Sequence, residues 1–264
     1  MDIEQIKQTG IRAAYRGGEI LQRHFGHLST VNKKGAIDLV TIADIESEQA
    51  IVDSIRSTLP DHSILTEEAG LLEGQPEFRW IIDPLDGTTN FAHGLGIFAV
   101  SIAYAHRGQP VFGIVLNPIN GEMFTATKDQ GAFLNHHAIS ISAAAKVEDS
   151  LLVTGFPYDL MRMPSTLVDR FAACLKAAQG IRRLGSAALD LCYVASGRFD
   201  GFWEENLKPW DTAAGMLIAL EAGARITDFA NQPYSIDKKQ ILATNGHIHS
   251  EMLALLKIED IECQ

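Results

Sequence analysis

The sequence predicts a mixed α/β protein in which sheets are covered by helices, and three observations carry that prediction. Between Phe98 and Ser142, short apolar runs alternate with turn signals, as in an antiparallel meander. From Leu151 onward the rhythm changes to alternating strands and helices. At the amino end, apolar residues recur at helical spacing instead. The best internal boundary, Ala143-Ala144-Ala145-Lys146, is too short to be a free linker. The expectation is therefore one compact unit, 1–264, with halves of approximately 1–146 and 147–264.

Ile3, Ile6, Ile11, Ala14, Ile20 and Leu21 predict an amphipathic outer helix, softly broken at Gly17-Gly18 and ended near Phe25-Gly26. Leu39-Val40-Thr41 leads into a second helix: Thr41 and Asp44 form a loose capping box, Ile45, Val52, Ile55 and Leu59 share one face, and Pro60 ends it. Ile64-Leu65-Thr66 predicts a short strand ending at Glu67-Glu68. Phe78, Trp80, Ile81 and Ile82 predict a buried strand that Pro84, having no N–H for a ladder, should stop. The meander strands are predicted at Phe98 to Tyr104, Val111 to Leu116, Glu122 to Ala126 and Ala138 to Ser142. In the second half the pattern predicts strands near Leu151, Ile181, Phe199, Arg225 and Ile241. Helices should lie between them at about Ser165 to Ala178, Ser186 to Ser196 and Asp211 to Ala222, with a last one running to about Leu256. No internal repeat or low-complexity segment interrupts this order.

Of the 264 residues 46% are hydrophobic and mean hydropathy is +0.03, enough apolar surface for a packed core. Against 22 basic residues stand 33 acidic ones, and the formal charge of −11 repels nucleic acid and anionic membrane, so neither is an expected partner. An anionic substrate would need local help, such as metal ions. No apolar stretch approaches the roughly 18 residues of a membrane span, and Met1-Asp2-Ile3-Glu4 does not look like a signal peptide, so a cytoplasmic location is expected. Cys174, Cys192 and Cys263 lack metal or disulfide spacing and read as filler or surface thiols. His136-His137 and His247-x-His249 read as loop or surface residues.

The chemistry concentrates in Asp83 to Phe91, D-P-L-D-G-T-T-N-F, at a predicted strand's carboxyl end. Asp83 and Asp86, three apart across a turn, have Cα atoms within roughly 7 Å, and no Lys or Arg lies between Asp83 and Phe91. Gly87 permits close backbone approach, and Thr88-Thr89-Asn90 offers N–H groups and hydroxyls as a helix opening does. The stretch reads as a cation site beside an anion site, or else as an Asx-type turn. Three further acids stand at element ends. Asp44 in a helix's first turn suits the dipole. Glu67 ends a strand that could share a rim with the one ending at Asp83. Asp211, before the apolar run Met216 to Leu220, is what helix capping alone would select.

Together with W-D-T-A-A-G at Trp210 to Gly215 and E-E-A-G at Glu67 to Gly70, the central stretch resembles the inositol monophosphatase family, over roughly Ala13 to Gly246. The resemblance implies a layered α/β/α/β/α sandwich of the inositol monophosphatase and sugar phosphatase type. It further implies a homodimer and a lithium-sensitive, Mg²⁺-dependent phosphomonoesterase. Carried over, Glu67, Asp83 and the Leu85 carbonyl hold one metal, Asp83, Asp86 and Asp211 a second, and Asp44 helps Thr88 and a third. Two to three Mg²⁺ ions follow, with Mn²⁺ as a substitute; an all-oxygen donor set suits such hard cations. Five carboxylates and a phosphate dianion carry about −7, which roughly three divalent ions would nearly cancel.

The implied chemistry is attack on phosphate by metal-activated water, with Glu67, Thr88 and Asp44 as catalytic residues and Gly87 and Thr88 N–H groups on the phosphoryl oxygens. No nucleophile elbow, Walker A loop or dinucleotide fingerprint offers another reaction. Substrate contacts carried over are Gly87, Thr88, Gly185, Ser186, Ala187 and Glu205, with Ser186 standing where Thr is common. The favoured substrate is myo-inositol monophosphate. Fructose 1,6-bisphosphate, 3′-phosphonucleotides and histidinol phosphate are the alternatives served by the same core. Phe156-Pro157-Tyr158 either lines the pocket or packs, and the basic pair Arg182-Arg183 motivates a regulatory, protein-binding role beside the activity.

Overall fold

In a computed structural model, which describes residues 2–27, 31–33, 39–157 and 166–257, the chain alternates as the sequence pattern requires. Helix α1 (Ile3–His24) is followed by the hairpin β1 (Val31–Lys33) and β2 (Leu39–Thr41), then α2 (Ile42–Arg56). Next come β3 (His62–Thr66), β4 (Leu71–Leu72), β5 (Gln75–Asp86) and the short α3 (Thr88–Ala92). The meander is β6 (Ala99–His106), β7 (Gln109–Asn117), β8 (Glu122–Thr127), β9 (Ala132–Leu134) and β10 (His137–Ala138). The rest comprises β11 (Leu151–Thr154), α4 (Thr166–Ala177), β12 (Gly180–Arg182), α5 (Ala187–Ala195), β13 (Gly201–Glu205), α6 (Pro209–Glu221), β14 (Arg225–Thr227), β15 (Gln240–Thr244) and α7 (His249–Leu256).

Two main sheets result, one of eight strands in the order β10-β9-β8-β7-β6-β5-β3-β4 and one of five in the order β12-β11-β13-β15-β14. Because side chains alternate across a strand, each sheet serves two cores. Trp80 and Ile82 pack under α1 and α2 with Leu21, Ile51 and Ile55. Their neighbour Ile81 faces the other way, onto α5 and α6. The same two helices rest on Val153, Phe202 and Ala243 of the small sheet. Its outer face, Leu152, Trp203 and Leu242, lies under Cys174 of α4 and Met252 and Leu256 of α7. Helix pair, sheet, helix pair, sheet, helix pair is the layering the family resemblance implies. Burying each large side chain in these cores stabilises the fold by about 1.5–3 kcal/mol.

Several local expectations give way to tertiary structure. Gly17-Gly18 does not break α1, which runs unbroken from Ile3 to His24. A Cβ on Gly17 would come within 2.7 Å of Ile51 and 2.9 Å of Ser47 Oγ, so glycine is there for close packing against α2. Nor does Pro84 stop its strand, because β5 continues to Asp86. Asp83 lies opposite Ser101 and Asp86 opposite Ala99, three steps on one strand against two on the other. The extra residue makes a β-bulge, where a missing N–H costs nothing.

The strand expected at Ala138 to Ser142 is instead the hairpin β9 and β10, turned by Asn135 and His136 at φ of 47° and 68°. His249 is fully buried, bonding Thr227 at 3.0 Å and Thr244 at 2.8 Å through its two ring nitrogens, and burial lowers its pKa to about 4. Cys174 and Cys192 are buried, while Cys263, Tyr158 and the Thr41 side chain of the expected capping box lie outside the described residues. Among the described residues no helix is long and apolar enough to cross a membrane.

Candidate active site

The parallel pairing of β3 with β5 sets Thr66 opposite Ile82, so Glu67 and Asp83 follow side by side at the same sheet rim. In an unbroken strand, Asp83 and Asp86 would face opposite sides of the sheet. Their partners Ser101 and Ala99 are two apart and share a face, so the bulge turns both carboxylates to one side. The Leu85 N–H donates to Asp83 Oδ1 at 2.9 Å, fixing the first of them. Asp44, in the first turn of α2, accepts from Thr88 Oγ1 at 3.2 Å, and the same hydroxyl lies 3.1 Å from the Leu85 carbonyl. Gly87 precedes α3 at φ 101°, and a Cβ there would sit 3.0 Å from the Ile97 carbonyl and 3.2 Å from the Gly185 carbonyl. Only glycine lets the two halves approach so closely at this point.

The second half closes the site through hydrogen bonds. Ser186, the N-cap of α5, donates its hydroxyl to Asp86 Oδ2 at 2.6 Å, and the Ala188 N–H donates to the same oxygen at 2.8 Å. Asn90 donates to the Leu184 carbonyl at 2.7 Å, tying α3 to the turn before Gly185. Asp211 is not the N-cap expected for α6; the helix starts at Pro209, and Asp211 reaches back from its third position to accept the Lys208 N–H at 2.7 Å. That bond satisfies a helix-start donor and leaves the carboxylate at the cavity wall.

A cavity of about 400 Å³ opens between the halves, and Glu67, Asp86, Asp211, Gly185, Ser186 and Ala187 line it. Phe156, Pro157, Leu207 and Trp210 give it apolar walls, and Arg183 and Lys208 bring positive charge. Of the predicted substrate contacts, Glu205 also borders the cavity, as does Glu204, but its carboxylate is engaged elsewhere. Its two carboxylate oxygens accept from Arg170 at 2.7 Å and Gln240 at 3.2 Å. The neighbouring Glu204, which the sequence reasoning passed over, is buried on the opposite side of β13, and its carboxylate would collide with any side chain at Gly155. Strand alternation held the missed signal: Phe202 faces the inner core and Trp203 the outer one, so Glu204 faces inward and Glu205 toward α4. Arg183 of the basic pair belongs to this cavity, and Arg182 is exposed.

The electrostatics are those of a site short of positive charge. Burial, then repulsion from Glu67, Asp86 and Asp211, holds the Asp83 carboxyl well above the usual range. Burial lifts Asp86 to about 6 against the pull of its Ser186 and Ala188 donors. Burial likewise raises Asp211, with Asp86 and Glu67 adding to it, and raises Glu204, with Asp211 and Asp86 adding to it and Arg183 opposing. Among the described residues no three His, Cys, Asp or Glu side chains already form a metal cage. The carboxylates instead repel one another around one rim, and cations of high charge would relieve that repulsion.

The family model for the inositol monophosphatase family matches residues 2–260. The chain is 42% identical over 254 residues to the inositol-1-monophosphatase of Synechocystis, covering 95% of this chain and 88% of that protein. It is 41% identical to the Nus factor SuhB of Pseudomonas aeruginosa, covering 97% of both. Among solved structures, the inositol monophosphatase of Anabaena superposes with a TM-score of 0.89 at 39% identity, over 100% of both chains.

Proposed function

Because the chain belongs to the inositol monophosphatase family and is a phosphatase of that kind, we propose that it hydrolyses the monophosphate of a small polyol, myo-inositol first, with Mg²⁺. The observation that best supports this is the shared rim of Glu67, Asp83, Asp86 and Asp211 around a cavity of about 400 Å³. An all-oxygen set of repelling carboxylates fits a hard divalent ion better than a soft one. Glu67, Asp83, the Leu85 carbonyl, Asp86 and Asp211 would hold the ions. When bound, Mg²⁺ or Mn²⁺ supplies the charge that balances phosphate and makes an attacking water more acidic.

The chain's own groups do the rest. Thr88 Oγ1 has one proton and two acceptors within 3.2 Å, Asp44 and the Leu85 carbonyl. Its lone pairs therefore stay oriented toward the rim, where they can accept a hydrogen bond from a water and order it while the Glu67 carboxylate takes that water's other proton. The N–H groups of Gly87 and Thr88, at the opening of α3, would donate to phosphoryl oxygens as charge spreads over them. Ser186 holds Asp86 in place, and Gly185 and Ala187 shape the wall beside it. Glu204 takes the role expected of Glu205, accepting hydrogen bonds from the hydroxyls of the polyol. Arg183 and Lys208 draw in the anionic ester, and Phe156 and Trp210 keep bulk water from its ring.

The test is a panel of inositol, fructose, nucleotide and histidinol phosphates with the purified protein. We expect inositol monophosphate to give the highest kcat/KM, chelation to abolish turnover, Mg²⁺ to restore it and Li⁺ to inhibit it. Full activity in excess chelator after dialysis would refute the metal-dependent reading, and preference for another ester would reassign the substrate. We further infer a homodimer, to which Val168 and Leu175, 64% and 53% exposed and seven apart on α4, contribute an apolar face. The exposed Arg182 would contribute to a surface for a protein partner, in a regulatory role beside the activity.

A further inference from the structure

Three buried polar side chains of α2, Asp44, Ser47 and Glu48, stand on the face turned toward the site. Residues spaced three and four apart are neighbours on a helix surface, so the three form one patch. Asp44 accepts from Thr88. Ser47 donates its hydroxyl to the Pro84 carbonyl at 3.0 Å, inside the bulge that aims Asp83 and Asp86. Glu48 reaches a third part of the site: Oε2 accepts the Glu68 N–H and Oε1 the Ala69 N–H, each at 3.0 Å. These are the two residues directly after Glu67, in the turn that the Thr66 N–H closes onto the Gly70 carbonyl at 2.9 Å.

We propose that Glu48 is a positioning residue for Glu67, its carboxylate gripping the Glu67–Gly70 turn so that Glu67 meets the metal site in one orientation. The inference rests on the assignment of Glu67 to that site. Two adjacent amide donors met by two oxygens are a match only a carboxylate provides, since a carboxamide offers one acceptor and turns its NH₂ against the second donor. Burying a carboxylate is unfavourable, and apolar packing on α2 would hold the turn without that cost. What apolar packing cannot do is fix the direction of the backbone N–H vectors next to Glu67, and with them the direction of its side chain.

The experiment uses Glu48→Gln and Glu48→Asp, with Glu46→Gln as the control, since Glu46 sits exposed on the same helix and pairs with His24. Mn²⁺ binding to the substrate-free protein, amide exchange at Glu68 and Ala69, metal-free thermal unfolding and the Mg²⁺ dependence of turnover are measured together. For Glu48→Gln we expect Mn²⁺ affinity and half-saturating Mg²⁺ to worsen roughly 10–100-fold. The two amides should exchange faster, Tm should stay near that of wild type, and kcat should be largely restored by excess Mg²⁺. Glu48→Asp should fall between, and it decides the matter if the Gln variant does not fold. Unchanged Mn²⁺ affinity overturns the proposal, whether Tm falls, which marks a structural brace, or stays. If wild type hydrolyses no phosphate ester with any metal while Mn²⁺ binding still depends on Glu48, the phosphatase assignment fails and the positioning role stands.

Discussion

The large and small sheets contribute to one cavity by different physical means. Glu67, Asp83 and Asp86 stand where the backbone ladder of β3, β5 and β6 puts them, so moving any of them means breaking register. Ser186 and Asp211 stand at the starts of α5 and α6, and Glu204 stands near the end of β13. Their positions depend on how closely those helices pack: a Cβ on Gly215 of α6 would approach Leu191 of α5 to 2.8 Å. A ladder tolerates almost no displacement, whereas packed helices shift by fractions of an ångström with changes in side-chain size. On the function proposed above, the metal chemistry would therefore rest mainly on the rigid support and recognition of the alcohol on the adjustable one.

The largest effect that sharpens this contrast compares Asp83→Asn with Asp211→Asn. Each should lower Mg²⁺-dependent turnover by on the order of 10²-fold or more, at least about 2.7 kcal/mol, because each removes a charge from the metal set. Metal-free Tm should stay equal or rise, since a mutually repelling carboxylate is gone. Normal turnover by Asp211→Asn alone would confine the chemistry to the large sheet and leave Asp211 as a helix-start acceptor.

A second effect appears in the metal-free protein as a function of pH. The folded pKa of Asp86, about 6, lies above its ordinary 3.8. Folded protein therefore binds more protons than unfolded protein in this window. Stability is fully present below about pH 4 and is lost as pH rises through about 6, on the order of 3 kcal/mol. Asp83, Asp211 and Glu204, also raised, act in the same direction. Denaturant melts from pH 4 to 7 should show the decline without metal and lose it in saturating Mg²⁺; a flat metal-free profile would contradict the electrostatic picture.

The smallest effect separates neighbours on β13. Glu204→Gln should reduce kcat/KM for inositol phosphate by roughly 1–3 kcal/mol and barely alter hydrolysis of an aryl phosphate. Glu205→Gln should leave both rates within about threefold and lower Tm, because Arg170 loses a partner in a pair whose side chains are only 8% and 16% exposed. The reverse outcome would return the substrate contact to Glu205.

The order of strands and helices and the acidic motif were legible because both rest on local signals, whereas the five-layer arrangement followed only from the family resemblance. Helical and strand periodicities assign faces, and D-P-L-D-G-T-T-N-F joins proline, glycine and two acids in a stretch without a cation. Features that depend on a partner element were not legible. Gly17 looks like a helix breaker until Ile51 and Ser47 are seen against it, and Pro84 looks like a strand end until the one-residue excess over β6 is counted. His249 looks exposed until Thr227 and Thr244 close around its ring. The Glu204 and Glu205 pair was decidable in principle from the alternation through Phe202 and Trp203. Which face was inner, however, depended on where α4 and α5 packed.

The extra residue between Asp83 and Asp86 has an evolutionary reading. Deleting Pro84 or Leu85 would let β5 pair with β6 without interruption, a gain in regular hydrogen bonding over two residues. The same deletion would leave the two acids two apart and still on one face, but it would remove the turn in which the Leu85 N–H holds Asp83 and the Pro84 carbonyl accepts from Ser47. Selection for a more stable sheet and selection for catalysis thus pull in opposite directions on chain length at this one point. A protein shortened by this one residue should stay folded and, on the function proposed above, should bind Mg²⁺ more weakly, because Asp83 loses the turn that orients it.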